Sequence, residues 1–148
     1  MKREHEELKK SLDETVTQIV GQIWPDTMGS LSPAEAAVSE QEVVLARIEF
    51  AGSFQGECRL AMVPETAASM ASEMLGGPCA PDEIQDAAQE LCNMIAGHWK
   101  DQMLVAPQDC GLVPLVDAED VEEQSPALAT GEYRWQHHGL ALSIRRRD

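Results

Sequence analysis

Two hydrophobic periods alternate along this chain, and their order restricts the fold more than any other property of the sequence. From about Glu4 to Trp24, the residues Leu8, Leu12, Val16, Ile19, Val20, Ile23 and Trp24 fall within one arc at about 100° per residue, the mark of a helix with one buried face. Pro25 ends it. Residues 25–41 read as a connector, with a short helical turn expected at Pro33 to Val38. At Val43 the period drops to two: Val44, Ala46, Ile48 and Phe50 alternate with Leu45, Arg47 and Glu49, Gly52-Ser53 intervenes, and Cys58, Leu60 and Met62 then share a face. That is a β-hairpin. Helical spacing returns after Pro64, with Ala68, Ala71, Met74 and Leu75 before a Gly76-Gly77 stop. A second long helix opens at Pro81-Asp82, where Asp82 and Gln85 have capping-box spacing, and runs to about Met103. A short apolar piece (Leu112 to Val116), an acidic loop (Asp117 to Glu123) and a second hairpin (Ala129 to Trp135, Leu140 to Arg146) complete the chain.

The order is helix, hairpin, helix, then helix, strand, hairpin, which reads as two diverged copies of one unit. Sliding the chain onto itself so that Trp24 meets Trp99 lays Ile19 on Met94 and Val20 on Ile95. Helices and antiparallel strands that segregate in this way build an α+β architecture, two long helices packed on a mostly antiparallel β-sheet. At 148 residues with 43% hydrophobic content, one domain spanning 1–148 can bury a core without staples.

Charge removes several functions. Eleven Lys and Arg against 26 Asp and Glu leave a formal charge of -15, and the one basic run is Arg145-Arg146-Arg147. Nucleic acid and anionic membrane surfaces both require clustered cations, so neither is an expected partner. No apolar run approaches the ~20 residues of a membrane span, and MKREHEELKK has no apolar signal core. A cytoplasmic location is expected. Cys58, Cys79, Cys92 and Cys110 lack CxxC spacing and read as reduced thiols.

The second long helix carries the chemistry. Projected at about 100° steps, Asp86, Gln89, Glu90, Asn93, Gly97, Lys100 and Asp101 occupy one arc, while Ala87, Ala88, Leu91, Cys92, Ile95 and Trp99 take the other. A bare E-x-x-N arises by chance in roughly one chain in three of this length, so two further features give the stripe its weight. Asn competes for the backbone and is unfavourable in mid-helix, yet Asn93 stands there; Gly97 costs about 1 kcal/mol relative to Ala and leaves a flat place one turn on.

This stretch, Asp86-Ala-Ala-Gln-Glu90-Leu-Cys-Asn93-Met-Ile-Ala-Gly97, resembles the signature D/S-x3-E-x2-N of the CheX/CheC-type chemotaxis phosphatases. The approach FQGECRLAMVPETAASMASEMLGG, the LVPLV piece and the final hairpin are similar to that family too, so the resemblance covers most of the chain. It implies a phosphatase acting on the aspartyl phosphate of a CheY-type response regulator. Asn93 would orient the attacking water and Glu90 would pair with the regulator's lysine, with Asp86 and Gly97 at the contact. No cofactor or metal of its own is implied, and Mg2+ would sit on the regulator. The same alignment of copies sets Thr15 against Glu90 and Gln18 against Asn93, so the first helix lacks the pair. This is similar to the single-site CheX type, whose members form homodimers.

Other candidates have plainer readings. His137-His138 falls in a predicted turn, and neighbouring strand residues point to opposite faces, which does not suit a metal. His98 flanks the apolar face of its helix, Cys92 projects to the buried side, and Trp24, Trp99 and Trp135 read as core or interface anchors. The acidic loop reads as solvated. A competing class is a noncatalytic module that docks the same helix on a receiver domain or on a chemotaxis or flagellar component.

Overall fold

The computed structural model describes residues 2–23, 32–33, 43–104, 106–114, 127–135 and 138–146. In chain order the elements are α1 (Lys2–Ile23), β1 (Ser32–Pro33), β2 (Val44–Gly52), β3 (Gly56–Met62), α2 (Pro64–Leu75), α3 (Pro81–Met103), a 3-10 turn (Pro107–Asp109), β4 (Cys110–Pro114), β5 (Ala127–Trp135) and β6 (His138–Arg146). The α+β reading holds. The strands form one sheet in the order β1-β5-β6-β3-β2-β4, and every pairing is antiparallel.

That order carries the signature of duplication. Exchanging β1 with β4, β2 with β5 and β3 with β6 reads the same sheet backwards, with the approximate twofold between β3 and β6 at the Arg59↔Ser143 pair. Each half contributes a long helix, a hairpin of its own, and an edge strand that pairs with the other half's hairpin. Two incomplete units thus close one sheet.

Alternation decides which face of the sheet is inside. Ala46, Ile48 and Phe50 from β2, Cys58, Leu60 and Met62 from β3, and Leu140, Leu142 and Ile144 from β6 are buried. They meet Leu12, Val16, Ile19 and Val20 of α1 and the apolar side of α3 in one core. On the opposite face Arg47 pairs with Glu57 diagonally across the hairpin. Tyr133 ties β5 to α1, its hydroxyl donating to Asp13 Oδ1 at 2.5 Å. Burial first, and the Asp13 carboxylate second, push that phenol above its ordinary range, so it stays a donor at physiological pH.

Several expectations shift in detail. Pro33 lies in the two-residue strand β1 and not in a helical turn; residues 34–38 and the acidic loop 117–123 fall outside the described residues, as do Trp24 and His137. In α2 the buried residues are Thr66, Ala67, Met70 and Ala71, while Leu75 is 56% exposed, because the helix packs on its flanks against α3 and β6 and not along the predicted row. Gly76 closes α2 at φ 83°, its N–H donating to Ser72 O at 2.8 Å. At the start of α3 the cap forms two residues earlier than the Asp82-Gln85 spacing implied. Ala80 is the N-cap, Pro81 fills the first turn, and Glu83 accepts the Ala80 N–H at 2.9 Å.

Gly52 is a fixed point of the fold. Its φ is 132°, and a Cβ there would lie 2.0 Å from the carbonyl oxygen of Asp109, where the turn before β4 is stitched to Ser53 N–H. Gly52→Ala combines backbone strain with a clash against main chain, so a loss of about 2–3 kcal/mol is expected. Urea midpoints would measure it, and a variant as stable as wild type would show the β2 to β4 stitch to be dispensable.

Candidate functional site

The apolar side of α3 is committed to the core. Ala87, Ala88, Leu91, Cys92, Ile95, Ala96 and Trp99 are all buried over β2, β3 and β4. A helix held along that full stripe must present the residues between to the outside, and Asp86, Glu90 and Asn93 are exposed. The three therefore stand at i, i+4 and i+7 on one accessible face. Among the described residues, neither the Glu90 carboxylate nor the Asn93 amide is engaged in a hydrogen bond or ion pair. Both are available to something outside the chain.

Gly97 is placed differently from the other three. It is half-buried, and a Cβ there would touch Leu112 Cδ1 at 3.7 Å, an ordinary contact. The glycine thus faces its own β4 as much as the open surface. Lys100 also leaves the stripe, because its ammonium donates to Pro107 O at 3.1 Å and Cys110 O at 2.5 Å, tying the end of α3 to the turn before β4. The acids Asp82, Asp86, Glu90 and Asp101 are left exposed on this helix.

The structure also re-registers the two copies. Thr15, aligned with Glu90 in the sequence, is completely buried and cannot occupy a surface position. The buried set Ser11, Leu12, Thr15, Val16, Ile19 and Val20 on α1 superposes on Ala87, Ala88, Leu91, Cys92, Ile95 and Ala96 on α3 when the chain is slid one residue further. Glu14 then stands where Glu90 does, Thr17 where Asn93 does and Gly21 where Gly97 does, and Glu14, Thr17 and Gly21 are exposed. The first helix still lacks the amide, and the Thr17 hydroxyl donates to Asp13 O at 2.8 Å within its own helix. Matching tryptophans misled the alignment by one position; matching burial corrects it.

The neighbouring candidates are structural. Cys92 is fully buried, with Sγ 4.0 Å from Cys58 Sγ and 3.6 Å from Cys58 O. The hydrogen bond with Cys92, and then burial, hold the Cys58 thiol well above the ordinary range, the reverse of what a nucleophile requires. His98 is half-buried and shares a hydrogen bond with Gln102 at 3.0 Å. Among the described residues no group of three or more His, Cys, Asp or Glu could hold a metal ion, and no helix is long and apolar enough to cross a membrane.

Known proteins share this architecture. The crystal structure of the chemotaxis protein CheX from Vibrio vulnificus matches with a TM-score of 0.72 at 15% identity, covering 95% of this chain and 97% of that one. The CheX chain in the CheX-CheY-BeF3-Mg complex from Borrelia burgdorferi matches at 0.60 with 16% identity, covering 91% and 97%. The middle domain of FliM from H. pylori matches at 0.56 with 10% identity, covering 99% and 92%. At these identities the likeness is one of fold. A search of curated proteins found no match. The family model described as chemotaxis phosphatase CheX matches residues 44–130, which is more than half the sequence and contains the whole of α3. This chain belongs to the CheX family of chemotaxis phosphatases.

Proposed function

We propose that this protein hydrolyses the aspartyl phosphate of a CheY-type response regulator, with Asn93 orienting the attacking water and Glu90 pairing with a lysine of the regulator. The observation that carries this reading is an exposed carboxylate and amide one turn apart on a rigidly packed helix, neither engaged within the described residues, in a chain of the CheX family. The Borrelia burgdorferi relative's complex with CheY, BeF3 and Mg supports a receiver domain as the partner.

The chemistry suits those side chains. Phosphoryl transfer depends on positioning and electrostatics, and the protein need supply no covalent nucleophile. Water attacks phosphorus, the bond to the aspartyl oxygen breaks, and the electron pair leaves with that carboxylate as inorganic phosphate forms. An uncharged amide at Asn93 holds the water in line without adding negative charge beside the phosphoryl group. A carboxylate at Glu90 meets a cation, fixing the depth at which α3 enters. Mg2+ on the regulator would supply charge neutralisation there; the phosphatase contributes orientation. Asp86 would lie at the edge of the contact, and Gly97, beside Leu112, keeps that end of the helix low.

The decisive test is phosphate loss from phosphorylated receiver domains of the same genome, with wild type, Glu90→Ala and Asn93→Ala. Acceleration by wild type and its loss in both variants are expected. Tight binding without acceleration would overturn the catalytic reading and leave a docking module. The acids Asp82, Asp86, Glu90 and Asp101 also favour a partner surface bearing a lysine and a divalent cation. Affinity for the regulator is therefore expected to weaken several-fold between about 50 and 300 mM salt and again when its Mg2+ is chelated. Titration calorimetry that found neither dependence would remove the acidic helix from the interface. A homodimer is part of the same proposal, to be read from sedimentation at micromolar concentration.

A further inference from the structure

Two side-chain amides of α3 reach the backbone of β2. Among the described residues, β4 pairs with β2 from Gly52 back to Ile48, where the partner is Pro114. Leu45 and Arg47 are alternate residues of β2, so they turn their backbone groups to the same side. Gln85 Nε2 donates to Leu45 O at 2.8 Å, and Gln89 Nε2 donates to Arg47 O at 2.8 Å.

The fit is one of matched spacing. Residues i and i+4 of a helix rise about 6 Å along the axis, and residues i and i+2 of a strand about 6.7 Å. Two glutamines one turn apart therefore meet two successive outward carbonyls only when α3 sits at one axial position and one rotation. Apolar packing of Ala87, Ala88, Leu91, Ile95 and Trp99 holds the helix on the sheet but is non-directional. The two amide bonds add direction. Gln85 precedes Asp86 and Gln89 precedes Glu90, and Asn93 stands one turn beyond Gln89.

We infer that Gln85 and Gln89 are positioning residues for the Glu90 and Asn93 pair, fixing α3 against β2 so that both groups meet the regulator in register. This rests on the phosphatase reading above. Neither glutamine touches the reacting atoms, so their removal acts on the orientation of Asn93 and not on the number of partner contacts.

The test uses the full chain with Gln85→Ala, Gln89→Ala and the double variant, each checked for folding by circular dichroism. A small misplacement in a catalytic geometry costs one to two orders of magnitude, so the double variant is expected to lose about tenfold in kcat, with KM for the phosphorylated regulator changing by less than about twofold. An unchanged kcat, a loss confined to KM, or a fall that only follows the folded fraction would overturn the proposal. Hydrogen exchange gives a readout independent of turnover. Amides 86–97 should exchange about tenfold faster in the double variant, and unaltered protection there would overturn the proposal as well. A wild type without turnover would defeat the phosphatase reading, while the exchange result would still decide whether these glutamines set the helix.

Discussion

Asn93→Ala is expected to lower the rate of regulator dephosphorylation by about 100-fold or more with the fold unchanged. The size follows from what the amide would do. Removing one preorganised hydrogen-bonding group from a transition state costs on the order of 100-fold to 1000-fold, or about 2.7–4 kcal/mol, and orientation of a nucleophile can contribute more. The fold should survive because Asn93 is exposed and bonds to nothing among the described residues, while an alanine is a better helix residue than an asparagine. Stability should therefore stay level or rise slightly while activity falls, a combination that structural damage would not produce. Single-turnover decay of the phosphorylated regulator, beside a urea titration of each protein, measures both. A rate within threefold of wild type would remove Asn93 from the reaction.

The second large effect concerns stability. Trp99 is 1% exposed on the core side of α3, and its ring packs against Phe50 at 5.6 Å and Phe54 at 5.7 Å between centroids, while those two meet edge to face at 5.3 Å. This cluster joins the functional helix to β2 and to the turn after it. Trp99→Ala should cost about 3–5 kcal/mol, the lost transfer energy of a large ring plus the cavity it leaves. Against a total of about 5–15 kcal/mol for a domain, such a loss is enough to unfold a sizeable fraction at 37 °C. A drop below about 1 kcal/mol in guanidinium titrations would mean that the aromatic cluster collapses around the gap. Unlike Asn93→Ala, this variant should lose activity in proportion to folded protein, so the two experiments separate chemistry from scaffolding.

The contrast between these residues explains how much of the molecule was legible from the sequence. Trp99 and Asn93 are six positions apart on one helix, and a period of 3.6 assigns them to opposite sides without any knowledge of the rest of the chain. The strands were equally plain, since Ala46, Ile48 and Phe50 alternate with Leu45, Arg47 and Glu49 and form one apolar row that packs into the core. Where local signals compete, the reading moved. Asp82 and Glu83 both lie in the first turn of α3, and it is the position of Ala80 as N-cap that gives the capping role to Glu83. Along α2, Ala, Met and Ser provide little contrast in hydrophobicity, so contacts with α3 and β6 chose the buried residues.

The placement of the two halves tells the same story at a larger scale. A pair of tryptophans and a row of aliphatic residues revealed a repeat but left its register open by one residue, and one residue on a helix is a rotation of about 100°. Burial of Thr15 closed the question, because a side chain inside the core cannot be the counterpart of an exposed Glu90. Gln85 and Gln89 show the same limit. As polar residues on the flank of a helix they look like solvated surface, and only the packing of α3 on β2 brings them to the Leu45 and Arg47 carbonyls.

The sequence by itself determined the periods, hence the elements and their buried faces, and it placed Asp86, Glu90 and Asn93 together on an outward stripe. These are consequences of neighbours within one turn or one strand, where spacing along the chain is spacing in space. The tertiary structure decided what depends on residues far apart in the chain: the twofold order of the sheet, the turning of Gly97 toward Leu112, the tie of Lys100 to the turn before β4, and the two amides that hold α3 on β2. Each of these is a hydrogen bond or contact whose partner is selected by packing, and no local pattern encodes which distant carbonyl a side chain will find.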